Sequence, residues 1–265
     1  MVSFKSIQLC FAVNTIVLGF ALSHYAFLDY INYNLTITIL SIYLKDYMTV
    51  ESLNGLVKSR PYIFYNDIPR LQSFHFEDFV STYGVEALSF VGALAMAPHT
   101  TSPALEYLLF IPRSFVFELL FDFFHYWTHR FGHSHPIIYN NIHKLHHNSQ
   151  LINAYNTFHH SLADIILTNG IPILLAMYLF PLPRFSLILF FWFKTIVEVS
   201  GHTGKDTTSS FLQCIYLPRW LGIELYSRDH GLHHYNPRVN FSKRFSIWDK
   251  VFGTFKSGTT LRDLE

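Results

Sequence analysis

The stretch "HYWTHRFGHSHPIIYNNIHKLHH", from His125 to His147, spends seven of its 23 residues on histidine. Its imidazoles form two patterns, HxxxH at His125 and His129 and HxxHH at His143, His146 and His147. On a helix, residues three and four apart share a face, so each pattern can aim its rings at one point. A second HxxHH follows at His230, His233 and His234. One such box arises easily by chance. Three do not, because burying so many titratable rings without a shared positive partner is costly.

The rest of the chain says where these boxes sit. Half of its 265 residues are hydrophobic and only 14% are charged, against roughly 25% charged in soluble domains. That shortage of charge points to a membrane. A net charge of +1 argues against any bulk attraction to nucleic acid. Cys10 and Cys214 are the only cysteines, which does not suggest a disulfide framework or a thiolate metal site. Several apolar runs approach the ~20 residues of a spanning helix: 6–28, 33–44, 79–97, 104–124 and a hairpin over 162–199 that turns at Pro181–Pro183. The first run reads as a retained anchor. Glu106, Arg113, Glu118 and Lys194 interrupt the later ones and are expected at the interface or inside the bundle.

Thirteen of the sixteen histidines lie between His125 and His234, mostly in polar segments beside these runs. The hairpin leaves a surface and returns to it, so segments 125–160 and 202–234 are expected to share one face. Lysine and arginine are concentrated in the connections on that face, which places it in the cytoplasm. Without repeats or linkers, residues 1–265 read as a single domain: a membrane anchor region over about 1–114 and a histidine-box region over about 115–255. The expected fold is all-α, an integral-membrane helical bundle with a cytoplasmic histidine-rich cap housing a di-iron site.

Neutral imidazole suits zinc, copper, iron and nickel. Eight box histidines exceed the ligand set of one zinc ion and are enough for two metals close together. The chain has no HExxH motif of a zinc protease and no Glu-x-x-His pair of the soluble carboxylate-bridged bundles. An all-histidine dinuclear site beside a bilayer points to iron and oxygen chemistry on a lipid.

The order HxxxH, HxxHH, HxxHH resembles the integral-membrane fatty acid hydroxylase/sterol desaturase superfamily, from about Phe115 to Phe255. "SGHTGKD", Ser200–Asp206, is similar to a segment of the C-4 methylsterol oxidases. So is the ending, where the last box leads to Asn240–Phe241 and then to Trp248–Thr254. The resemblance implies two irons ligated by His125, His129, His143, His146, His147, His230, His233 and His234, with His202 as a ninth ligand. It implies a tenth within "NTFHHSLAD". There His160 is chosen over His159, because Phe158, Leu162 and Ile165 at helical spacing turn His160 toward the bundle if they face lipid. It further implies O2 as co-substrate, a lipid substrate (a sterol first, a fatty acid or sphingolipid second), electrons from NAD(P)H through a separate cytochrome b5 or reductase, and the endoplasmic reticulum.

Asp122, one turn before His125, and Asp229, beside His230, could each orient a ligand by accepting its second ring N–H. A helix cap is the competing reading. His133 and His135 read as polar residues, or supports of the ligands, in the turn between boxes, and His24, His75 and His99 take the same reading. Two other classes remain open. A metal transporter would place its ligands within the spans, and a catalytically silent metal-binding scaffold would carry the same boxes.

Overall fold

The computed structural model describes residues 4–58, 63, 76–147, 154–205 and 217–258, so His75, Asp206 and Cys214 lie outside the described residues. The chain begins with two long helices, α1 (Phe4–Tyr30) and α2 (Leu35–Leu56). Between them Asn32 and Tyr33 adopt positive φ angles, and the Asn34 side chain caps α2 by accepting the Ile37 N–H. Helix α3 (Phe76–Met96) follows, then α4 (Pro103–Leu108), capped by Ser102, and α5 (Phe110–Ser134). The run 104–124 was expected as one helix and is broken at Leu109. Pro112 explains the break: it has no N–H for the Leu108 carbonyl and its ring crowds that oxygen.

Beyond α5 lie a short α6 (Pro136–Ile138), a π turn over Tyr139–His143 and α7 (Lys144–His147). The hairpin rises through α8 (Leu162–Ile165), a π turn (Ile166–Gly170) and α9 (Ile171–Leu179), and descends through α10 (Arg184–Gly201). The last helices are α11 (Leu217–Trp220), α12 (Ser227–Tyr235) and α13 (Ile247–Val251). Among the described residues the only β pairing is an isolated bridge between Glu224 and Phe245. The fold is all-α.

Helix α10 is the centre of the bundle, with α1, α2 and α3 against it and α5 packed on α9. Its phenylalanines are buried, and Phe190 meets Phe117 edge to face at 4.8 Å. Such ring pairs contribute about 0.5–1.5 kcal/mol beyond the area they bury. The outer surface is the reverse of a soluble protein's. Leu40, Leu108 and Tyr178 are 60%, 75% and 76% exposed, while Lys45, Asp46, Glu86, Glu118, Lys194 and Glu198 are buried. Each buried charge has a partner: Lys194 bonds Glu86 at 2.6 Å and Glu198 at 2.8 Å, Lys45 pairs with Asp46, and Arg244 holds Glu118 at 2.7 Å. Glu106 accepts the Ser186 N–H and hydroxyl. Apolar groups outward and paired charges inward suit a lipid surround. Among the described residues two stretches, Ala12–Tyr30 and Leu162–Leu179, are long and apolar enough to cross a membrane.

Candidate metal centre

The C-terminal half of α5, the 139–147 segment, the start of the hairpin, the end of α10 and helix α12 meet at one end of the bundle. Their histidines gather into two groups whose ligand nitrogens lie within 4.8 Å of one another. The first group is His129, His133, His143, His147 and His233; the second is His146, His202, His230 and His234.

His133 corrects the reading of a turn between boxes. Helix α5 runs on to Ser134, so His133 stands one turn after His129, with their Nε2 atoms 3.3 Å apart. The helical pair at one centre is therefore His129 and His133, one turn later than the HxxxH box. His125 belongs to neither group; its ring lies 5.0 Å from that of His129 and lines the cavity between the groups.

Both HxxHH boxes divide their rings in the same way. His143 and His147 enter the first group while His146 enters the second; His230 and His234 enter the second while His233 enters the first. At about 100° per residue, positions i and i+4 differ by about 40°, and i+3 lies about 60° to the other side. Each box therefore serves two centres.

Four of these nine rings, those of His129, His143, His202 and His233, are held from behind. His129 Nδ1 lies 2.8 Å from the Phe241 carbonyl, His233 Nδ1 2.7 Å from that of Val239, and His202 Nδ1 2.8 Å from that of Glu198. A carbonyl only accepts, so each of these Nδ1 atoms carries the proton and each Nε2 is a bare lone pair. The Asn240 backbone sits at φ 55, a conformation asparagine tolerates, and turns the carbonyls of its two neighbours toward the rings. Asn240 Nδ2 bonds the Asp229 and Lys256 carbonyls, and Asp249 accepts the N–H groups of Phe241 and Ser242. The Asn-aromatic pair and the "WDKVFGT" ending are thus the brace that orients two imidazoles.

Asp164 was not singled out in the sequence. It is fully buried and accepts from two rings, His143 Nδ1 at 2.8 Å and His160 Nδ1 at 2.7 Å. Three residues after Ser161, whose hydroxyl caps α8, it has the setting of an ordinary helix-cap acid; the signal available was His160 four residues before it. Thr168 was missed too. Pro172, four residues on, cannot supply the amide its carbonyl would take in a helix. That oxygen instead accepts His125 Nδ1 at 2.5 Å, within the π turn.

His160 is buried and stacks on His146 at 3.9 Å, but belongs to neither group, and nor does His159. The helical stripe used to choose between them does not exist, because α8 begins at Leu162 and Phe158 is buried. Asp122 does not orient His125: its carboxylate accepts the backbone N–H groups of Lys243, Arg244 and Phe245. Asp229 does not orient His230 either. It closes the start of α12 by accepting the Tyr226 N–H and ties down the Gly258 N–H. Both carboxylates cap backbone.

Two bare lone pairs in contact repel unless a cation lies between them. The bare Nε2 atoms of His129 and His143 are 3.1 Å apart; elsewhere in the groups the Nε2 atoms of His143 and His147 lie 3.0 Å apart, those of His233 and His147 3.2 Å, and those of His202 and His230 3.0 Å. Around one metal with bonds of about 2.1 Å, adjacent imidazole nitrogens at right angles fall about 3.0 Å apart. The donor set fits two metal ions. Protons do not compete well for the site: burial holds His146, His230 and His234 well below the usual imidazole range and lowers His233 to about 3.

The comparisons with known proteins agree on the family. The fatty acid hydroxylase family model matches residues 114–254. A fatty acid hydroxylase from Lecanicillium is 32% identical over 52% of this chain and 40% of its own length. A putative methylsterol monooxygenase from Dictyostelium discoideum is 34% identical over 63% and 58%. Sphinganine C4-monooxygenase 1 of Arabidopsis thaliana is 27% identical over 56% and 55%. The chain spans about half the length of these curated relatives, and no solved structure matches it. Since the matched residues are more than half of the chain and contain both histidine groups, this protein belongs to the fatty acid hydroxylase family.

Proposed function

We propose that this chain is a membrane-bound oxygenase in which nine imidazoles hold two irons and O2 oxidises an unactivated C–H bond of a lipid. The observation that carries the reading is the set of bare Nε2 atoms turned on one another, backed by carbonyls and a carboxylate that fix their tautomers. When bound, the irons supply O2 activation and removal of the hydrogen. In balance, R–H, O2, two electrons and two protons give R–OH and water. The electrons come from NAD(P)H through a separate cytochrome b5 or reductase.

The chain's own part is positioning and exclusion of water. Phe241 lies 5.9 Å from the His129 ring and 5.7 Å from that of His233, an apolar wall on the first group. His125 and His160 stand beside the groups and complete the ring of donors around the cavity. The substrate we favour is a methylsterol, supported by the "SGHTGKD" segment, the chain ending and the methylsterol monooxygenase relatives. An acyl or sphingoid chain is the second reading, favoured by the hydroxylase and sphinganine relatives. The site would face the cytoplasm of the endoplasmic reticulum.

The test is metal content and turnover on one sample. Iron-supplemented protein in detergent should hold close to two irons per chain and, given reductant, consume a 4-methylsterol or a sphingoid base only when O2 is present. One metal per chain, or no O2-dependent consumption of either lipid class, overturns the reading.

A further inference from the structure

Lys243 is a half-buried lysine on the wall of the histidine cavity, its side chain 12% exposed. It also lines an adjoining, mostly apolar pocket on the far side of His202 and His230, whose other walls include Val197, Leu225 and Tyr226. Those two histidines and Lys243 are common to both spaces, so they form the partition between the pocket and the histidine cavity. An ammonium there needs a reason, because a positive charge beside imidazoles that gather around cations weakens the hold on those cations.

The surroundings leave one donor of the ammonium unused. Lys243 Nζ donates to Asn169 Oδ1 at 2.6 Å and lies 3.1 Å from Glu198 Oε1. An ammonium has three N–H donors, and these contacts take two. The main chain is pinned as well, its N–H bonded to Asp122 at 2.7 Å, so the side chain starts from a fixed point. Glu86 and Glu198 together balance Lys194 and Lys243. A network already neutral suits a neutral acceptor better than a carboxylate.

We infer that Lys243 anchors a hydroxyl oxygen of the lipid, so that the carbon presented to the histidine centre lies within a few bonds of that oxygen. The inference rests on the lipid-binding half of the reading above and narrows it to lipids hydroxylated close to the oxidised carbon, rather than at the far end of a chain. The small pocket beside His202 and His230 borders the carbons next to that oxygen, and the ammonium sets the register.

The experiment is equilibrium binding to the iron-loaded full chain in detergent. The probes are a 4-methylsterol, sphinganine and, for each, the analogue lacking the 3-hydroxyl. For wild type, one hydroxylated probe should bind about 10- to 100-fold more tightly than its deoxy analogue, the range of a hydrogen bond to a charged group. Lys243→Met should abolish that preference, leaving the deoxy analogue's Kd and the iron content unchanged, and Lys243→Arg should retain part of it. Equal weakening of both members of a pair, or a preference that survives in Lys243→Met, overturns the anchor. So does wild type that shows no preference, which settles the matter even if Lys243→Met does not fold. Turnover is read separately. A preference without O2-dependent oxidation refutes the oxygenase and leaves the anchor, whereas oxidation without preference does the opposite.

Discussion

His129 and His143 face each other through their Nε2 atoms at 3.1 Å, while each gives its Nδ1 proton to an oxygen behind it, the Phe241 carbonyl and the Asp164 carboxylate. Neither ring can relieve the contact by turning without abandoning its bond. The pair is built to share a cation.

His133 should be a metal ligand. His133→Ala is expected to lower iron from near two to near one per chain, because it removes one of five donors from the first group only. His135, outside both groups, serves as the control. Elemental analysis of the two variants decides it, and equal iron in both returns His133 to a polar surface role.

Asp164→Asn should act on both His143 and His160. One amide oxygen can accept from one ring, but the amide nitrogen would oppose the other ring's N–H. Loss of such an outer partner weakens metal affinity about 10- to 100-fold. Competition with a chelator measures this. An unchanged half-point would show that the carboxylate has no hold on the metal site.

Pro172→Ala restores an amide donor that can take the Thr168 carbonyl away from His125. The helix should become more regular and the protein no less stable, yet turnover should fall several-fold as His125 loses its orientation. Melting temperature and turnover measured together check it; unchanged turnover would leave the π turn without a role at the site.

The metal-free protein should lose stability as pH falls. His146, His230 and His234 are kept neutral by burial, while in the unfolded chain they titrate near about 6.5. Below that pH the unfolded state binds protons the native state does not, so stability drops, by about 1.4 kcal/mol per pH unit for each such group. For His233 the loss continues until pH reaches about 3. Thermal melts of chelated protein should be level above about pH 7 and fall steeply below about 6; a level profile throughout would contradict the buried, neutral cluster.

Glu118 and Arg244 join α5 to the C-terminal loop, with Nε and Nη2 both on Oε2 at 2.9 and 2.7 Å. Arg244→Met alone leaves a buried carboxylate and should cost about 3–5 kcal/mol, whereas the double variant with Glu118→Met should recover much of it. Denaturant midpoints of the three proteins test this, and a double variant as unstable as the single one would refute it.

The sequence by itself determined the donor type, the helical spacing that points histidines in pairs, the apolar runs of the bundle and the family likeness. Each is a local property, carried by residues within a turn or two of one another. Which rings share a centre was decided by the tertiary structure. His133 counts because α5 extends to Ser134, and Asp164 counts because α8 begins just after His160 and brings its carboxylate under two rings. The HxxHH boxes split because neighbouring residues on a helix diverge by about 100°, so only the placement of five chain segments around one cavity assigns each ring to a side. Asp122 and Asp229 were decided the same way. An aspartate beside a histidine in sequence is free to turn elsewhere, and here the unpaired amides of a returning loop were the nearer donors.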